Sequence, residues 1–244
     1  MSLGSHASQA SHSAKAPTDT ALKLFYDFVK GREKEAFAIL RKSEDLVIPV
    51  AAPLLKAVLG DTKATDPIPD NKPANKKAES AFEKLAAKGY VEDQKNPACE
   101  AIKVGVANLN WGGCGIIATY NLVKSLGRKT SIVDLVEHFE AEGIMVKGEF
   151  GTDPWMIEQY LKQRGFKTKQ IPATDQSAVT HVLTTFWNDK DTITGSAHTI
   201  CLTREADGRL HSHNNYDRET YATVKDFYAK HPKVSPIVVF SVSK

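Results

Sequence analysis

The chain has no apolar run near the roughly 18 residues that a membrane-spanning helix needs, so no membrane span is expected. Its cysteines number only three (Cys99, Cys114 and Cys201), an odd and widely spaced set. That excludes a disulfide framework, and nothing in the spacing resembles the paired ligands of a zinc site, so no metal is expected. Free thiols in a reducing compartment follow. Charge of one sign is also scarce. The formal net charge is +3, and no segment concentrates Lys and Arg with interleaved aromatics, which leaves no electrostatic footprint for nucleic acid. Runs such as Lys76-Lys77 read as solvated helix faces. There is no P-loop, no dinucleotide fingerprint and no His-rich motif, and no cofactor is expected. No internal repeat is visible.

What remains is ordinary globular composition, 41% apolar and 25% charged, over 244 residues, enough for one large domain or one domain with a helical extension. Residues 1–17 are rich in Ser, Ala and His and lack the apolar core of a signal peptide. They read as a disordered tail, in part a cloning remnant. With no signal peptide the default compartment is the cytoplasm, export by a specialised route being the alternative.

Residues 18–74 read as a helical extension followed by a Pro-rich linker. Thr18 or Asp19 can cap a helix carrying Leu22, Phe25, Phe28 and Val29, and the pattern resumes at Ala36, Phe37, Ile39 and Leu40. Leu46–Leu59 is a second apolar stretch, broken by Pro49 and Pro53. Pro67, Pro69 and Pro73 mark the linker, 61–73. This part is a candidate for binding a partner protein.

Residues 75–244 read as the catalytic domain. Asn75–Lys88 fits an amphipathic helix stopped by Gly89, and Ile102, Val104 and Val106 alternate as in a strand. A Gly-rich turn at Gly112–Gly115 leads into a buried helix ending at Gly127. Helices are expected at Ser131–Glu142, Asp153–Arg164 and Ser177–Trp187. Strands are expected at Phe166–Ile171, His198–Thr203, Arg209–His213 and Ile237–Val242, with a hairpin turn at Asp207-Gly208. Helices first and antiparallel strands last give an α+β class.

Chemistry concentrates at Cys114. A thiol reacts as thiolate, and its pKa of about 8.5 must be lowered for that. Cys114 opens a helix, whose N-terminus supplies partial positive charge and free N–H groups. Gly113 and Gly115 leave room for a substrate backbone. His198 opens a strand, where an imidazole can be held by the sheet and still face a cleft. The Asp207-Gly208 turn returns the chain so that Asn214 or Asn215 falls near His198. An amide carbonyl there would accept from Nδ1–H and leave Nε2 toward the thiol. His211 and His213 alternate with Asn214 and should face away from it. Trp111 is a candidate wall of the substrate cleft. Trp155, Trp187 and Cys201 read as packing.

The stretch Asn108-Leu-Asn-Trp-Gly-Gly-Cys-Gly-Ile-Ile-Ala-Thr-Tyr-Asn-Leu-Val-Lys-Ser-Leu-Gly127 resembles the nucleophile helix of bacterial papain-like cysteine proteins, closest in pattern to the C39-like peptidases. Gly151-Thr152-Asp153-Pro154 resembles the Gly-Thr loop that often precedes a helix in that branch. The order Cys114, His198, Asn214 completes the likeness, which covers residues 99–244. The His follows the Cys by 84 residues, against about 130–150 in papain itself, and Gly rather than an aromatic follows the Cys.

The resemblance implies a papain-like fold and a Cys-His-Asn triad of Cys114, His198 and Asn214. It implies an oxyanion donor six positions before the Cys, where Asn108 stands in place of the usual Gln, with Asn110 a second candidate. Trp111 and Gly113 would then contact a peptide or protein substrate. The implied activity is thiol hydrolysis of an amide through an acyl-enzyme. A glutamine deamidase or transglutaminase-type effector or toxin uses the same triad. A catalytically decayed binding module is the reading from a different class.

Overall fold

The computed structural model divides the chain into two units, residues 1–61 and 62–244. The structure describes residues 68–244, apart from 145–147, 149–150, 189–196 and 216–218. The tail, the expected helices between Thr18 and Leu59 and most of the expected linker lie outside the described residues.

Most of the helices begin at a side-chain cap; the first described one and the one that opens at Cys114 do not. Helix α1 (Lys72–Ala86) starts three residues earlier than the periodicity suggests, with Pro73 in its first turn, where the missing N–H costs nothing. Asn96 caps the short α2 (Pro97–Glu100). Strands β1 (Lys103–Val104) and β2 (Ala107–Asn108) pair antiparallel, and Asn108 then caps α3 (Leu109–Gly112). The expected single strand through Ile102, Val104 and Val106 is corrected to this small hairpin, because Gly105 takes a φ of 58° and turns the chain. Helix α4 (Cys114–Ser125) follows; Ser131 caps α5 (Ile132–Glu142) and Asp153 caps α6 (Pro154–Gln163).

Six antiparallel strands then form one sheet: β3 (Lys167–Gln170), β4 (His181–Asn188), β5 (Ala197–Arg204), β6 (Leu210–His213), β7 (Thr220–Tyr221) and β8 (Val234–Ser243), in the order β3-β8-β4-β5-β6-β7. The expected helix at Ser177–Trp187 is corrected to a strand. Val182, Thr184, Thr185 and Phe186 favour a pleated surface, and β4 is held on both edges, by β5 and β8. Helix α7 (Val224–Lys230) has no counterpart in the sequence reading, although Thr223 and Asp226 form a capping box, each side chain bonding the other's backbone N–H. The result is α+β.

The sheet separates two apolar clusters, as period-2 alternation requires. Leu183, Cys201, Phe240 and Val242 face the cluster built on α1, α4, α5 and α6. Val182, Ile200, Leu202 and Val239 face Val224 and Phe227 of α7. Helix α4 is buried along almost its whole length and packs on β5. That packing brings the first turn of α4 against the strand that starts at Ala197.

Candidate active site

Cys114 is the first residue of α4, and Gly113 stands at its N-cap. The turn that delivers it is built by close backbone approach. A Cβ on Gly113 would lie 2.5 Å from the Cα and the carbonyl oxygen of Leu109, and one on Gly112 would lie 2.1 Å from the carbonyl oxygen of Gly148. Neither position can carry a larger residue without moving backbone. Gly113 is buried and its N–H is donated to Leu109. Its role is in the turn, where the sequence had suggested contact with substrate.

The Cys114 sulfur is hydrogen-bonded to His198. Burial pushes the thiol up, but the His198 hydrogen bond and charge, together with backbone groups of Thr199 and Gly115 that favour the thiolate, outweigh it and hold the thiol below the ordinary cysteine value. A backbone group that favours a thiolate must be an N–H donor. The other two cysteines show what burial does unopposed. Cys99 is pushed up to about 12 and Cys201 well above its usual value.

His198 sits on β5 opposite Phe186 of β4, with the two rings edge to face. Its Nε2 lies 2.8 Å from the backbone carbonyl oxygen of Asn214. A carbonyl can only accept, so Nε2 carries the proton and Nδ1 is left as the base toward the thiol. This reverses the expected roles of the two nitrogens. It also corrects the expected role of the Asn214 side chain. That amide is buried and spent on Gln94: its Oδ1 accepts from the Gln94 N–H at 3.0 Å, and its Nδ2 donates to Gln94 Oε1 at 2.9 Å. Alternation would place the Asn214 side chain toward His198 only if the strand ran on through residue 215. It stops at His213, and Asn214 takes a φ of 60°. That left-handed residue turns its carbonyl back toward His198. Asn215 lies beyond the end of β6 and is half-buried.

His213 does face away from the site. It is buried, with Nδ1 2.8 Å from Glu92 Oε1 and Nε2 2.7 Å from Thr203 Oγ1. His211 pairs with Asp207 at 2.8 Å. Cys201 is in the core and Trp155 packs against it, whereas the Trp187 side chain lies outside the described residues.

Asn108 is committed to its local turn, accepting the Trp111 N–H on Oδ1 at 3.0 Å. Its Nδ2 makes no hydrogen bond among the described residues. Asn110 offers its backbone carbonyl to Gln94 Nε2 at 2.9 Å. Trp111 is 62% exposed, and with Val106, Ala107 and Asn108 it lines a cleft of about 590 Å³ that also touches Asn71 and Lys103. Gln94, which links the Asn214 end and the Asn110 end of the site, was not singled out from the sequence; only its place in a turn-rich segment after Gly89 hinted at a loop.

A larger hollow of about 930 Å³ lies toward the other end of α4, around Tyr120, Lys124 and Tyr160. Its size does not make it the reactive site. Glu83 is bonded to Tyr120, Glu79 to Ser131 and Lys76, and Lys124 to the Ala86 and Gly89 carbonyls. Among the described residues no cluster of His, Cys, Asp and Glu could hold a metal ion, and no helix is long and apolar enough to cross a membrane. No family model matches the chain, and no curated protein matches it.

Proposed function

We propose that the chain is a papain-like thiol hydrolase that attacks an amide carbonyl through Cys114. The observation that carries this reading is the joined geometry of three groups: a half-buried cysteine at a helix N-terminus, hydrogen-bonded to His198, whose far nitrogen is tied to the Asn214 carbonyl. A structural cysteine needs none of these, and for Cys99 and Cys201, buried with raised thiols, no histidine is among the groups that set the thiol.

The chemistry follows from the tautomer. Nδ1 of His198 takes the thiol proton, and the Asn214 carbonyl stabilises the imidazolium that results. The thiolate adds to the carbonyl carbon, and the oxyanion develops near the start of α4. There the Cys114 N–H and the Asn108 Nδ2 are candidate donors, each worth roughly 2.7–4 kcal/mol in comparable sites. His198 returns its proton to the leaving nitrogen, the C–N bond breaks, and the acyl group stays on sulfur until water releases it. The cleft beside Trp111, three residues before the nucleophile, is the candidate seat for a peptide or protein segment. A peptide bond and a glutamine side-chain amide enter by the same step, so deamidation is a variant of this reading and the decayed binding module is its opposite.

The test uses full-length protein, with Cys114→Ala as control, on a fluorogenic peptide library and on a glutamine-rich protein assayed for ammonia. Peptide cleavage lost in the variant supports hydrolysis of the backbone, and ammonia release lost in the variant supports deamidation. No difference between the two proteins on either substrate, together with Cys114 alkylation no faster at neutral pH than that of a free cysteine, would sink the enzyme reading.

A further inference from the structure

The segment Tyr90–Gln94 belongs to no helix or strand, yet it is bonded to both arms of the site. On the helix side, the Val91 N–H and carbonyl both pair with the Asn121 side chain of α4, each at 2.9 Å. On the sheet side, Glu92 accepts the Asn214 N–H at 3.1 Å and meets His213 at 2.8 Å, while the Tyr90 ring stacks on the His213 ring at 3.8 Å between centroids. Gln94 joins the two sides. Its N–H and Oε1 clasp the Asn214 amide, and its Nε2 reaches the Asn110 carbonyl in the turn that precedes Cys114.

Asn214 needs such a clasp. The left-handed region is disfavoured for residues with a Cβ, though less for Asn than for most, and here that conformation decides where the carbonyl points. Both polar atoms of the Asn214 side chain are used on Gln94, and its N–H on Glu92. Neither of those side-chain bonds runs to His198. The side chain therefore acts on the imidazole only by fixing the backbone that does.

We infer that Gln94 is a positioning residue for the Cys114–His198 pair: it holds Asn214 in the conformation that aims its carbonyl at His198 Nε2, and ties that clasp to the nucleophile turn. This rests on the thiol-hydrolase reading. Gln94 is buried and its hydrogen bonds run to Asn214 and Asn110, not to the sulfur or the imidazole, so it works through Asn214. A loosened carbonyl lets the ring turn, and the thiolate then loses its partner.

The test is the pH profile of Cys114 alkylation by iodoacetamide, which needs no substrate, on full-length protein whose folding is checked by circular dichroism. Gln94→Met keeps the length and removes both side-chain bonds. It should raise the apparent thiol pKa by about one unit, which slows alkylation at pH 6.5 about tenfold. Asn214→Ala should do the same, and the double variant should be no worse than the worse single, since the two act on one clasp. Asn214→Gly, which enters the left-handed region without strain, should keep a profile nearer the wild type than Asn214→Ala. Should Gln94→Met fail to fold, the order of those two variants decides. A Gln94→Met profile equal to wild type, or equal losses from Gly and Ala at 214, overturns the inference while leaving the hydrolase reading intact. A wild-type profile equal to that of His198→Ala brings down both.

Discussion

His198 Nε2 is held at 2.8 Å by a main-chain oxygen, that of Asn214, and not by the Asn214 amide. A main-chain acceptor has one consequence that a side-chain carboxylate or amide does not. It cannot be flipped or mutated away, so the tautomer of His198 is set by the fold of the β6 end.

The first prediction concerns the thiol. Because His198 lowers the Cys114 pKa against burial, thiolate is present above the lowered value and disappears as pH falls through it. Alkylation of the wild type should titrate with a midpoint below that of an ordinary cysteine. In His198→Ala the lowering hydrogen bond is gone and burial remains, so the titration should move above about 8.5, with the rate at pH 7 down at least about tenfold. A plateau that stays in place in His198→Ala would show that the helix terminus alone activates the sulfur.

The second concerns the other cysteines. Cys99 and Cys201 are buried and their thiols are pushed up, to about 12 for Cys99. Native protein should therefore give one thiol equivalent with Ellman's reagent and denatured protein three. Cys201→Ala should keep the fast thiol and lose about 1 kcal/mol of stability as a core truncation, read as a shifted urea midpoint.

How much of this was legible beforehand is best seen at β4 and Asn214. Cys114 and His198 stood out because a Gly-flanked cysteine at a helix start and a histidine at a strand start are local patterns. The Ser177–Trp187 segment misled because its apolar residues also fit a helix, and only its two neighbouring strands decide the matter. The third group was legible as a residue and not as an atom. The side chain of Asn214 is the part a sequence displays, whereas its φ depends on Glu92 and Gln94, some 120 residues away along the chain. Long-range polar clasps of that kind leave no periodic trace.

Backbone contact at the nucleophile turn yields a third prediction. A methyl on Gly112 would lie 2.1 Å from the Gly148 carbonyl oxygen, and neither partner is a flexible side chain. Gly112→Ala should cost about 1–3 kcal/mol, as overpacking does. It should also slow Cys114 alkylation, because the turn that must shift is the one that sets the sulfur. A midpoint and rate both unchanged would mean that the 148 loop yields freely.

Glu140 supplies a fourth. Its Oε1 accepts from Asn71 Nδ2 and from the Gly105 N–H, both at 2.6 Å, beneath the Trp111 cleft. Burial raises its pKa, more than these two bonds lower it. A carboxyl raised on folding contributes stability that is present below its unfolded value, near 4.5, and is lost as pH rises through the raised folded value. Glu140→Gln can accept both bonds without a charge, so it should match or exceed the wild type at pH 7. The acid side of the stability profile, from about pH 4.5 upward, should flatten. Glu140→Ala should lose stability throughout, since it leaves Asn71 and Gly105 without their acceptor.

Thr152 carries the last. It forms an antiparallel bridge with Ile144, and it is 4% exposed. Its Oγ1 is buried and has no hydrogen-bond partner among the described residues, although it lies 3.4 Å from where a Cβ on Gly115 would be, one residue past the nucleophile. An unpaired buried hydroxyl costs about 1–3 kcal/mol of desolvation. Valine has the same branching at Cβ, so it should keep the bridge and the packing on α4 while removing that cost. Thr152→Val should therefore raise the urea midpoint by the equivalent of about 1 kcal/mol and leave the alkylation profile of Cys114 unchanged. Thr152→Ser keeps the hydroxyl and loses the methyl, and should be the less stable of the two. If Thr152→Val instead slows alkylation or turnover with stability unchanged, the hydroxyl serves the first turn of α4 during the reaction, and its lack of a partner belongs to the resting site alone.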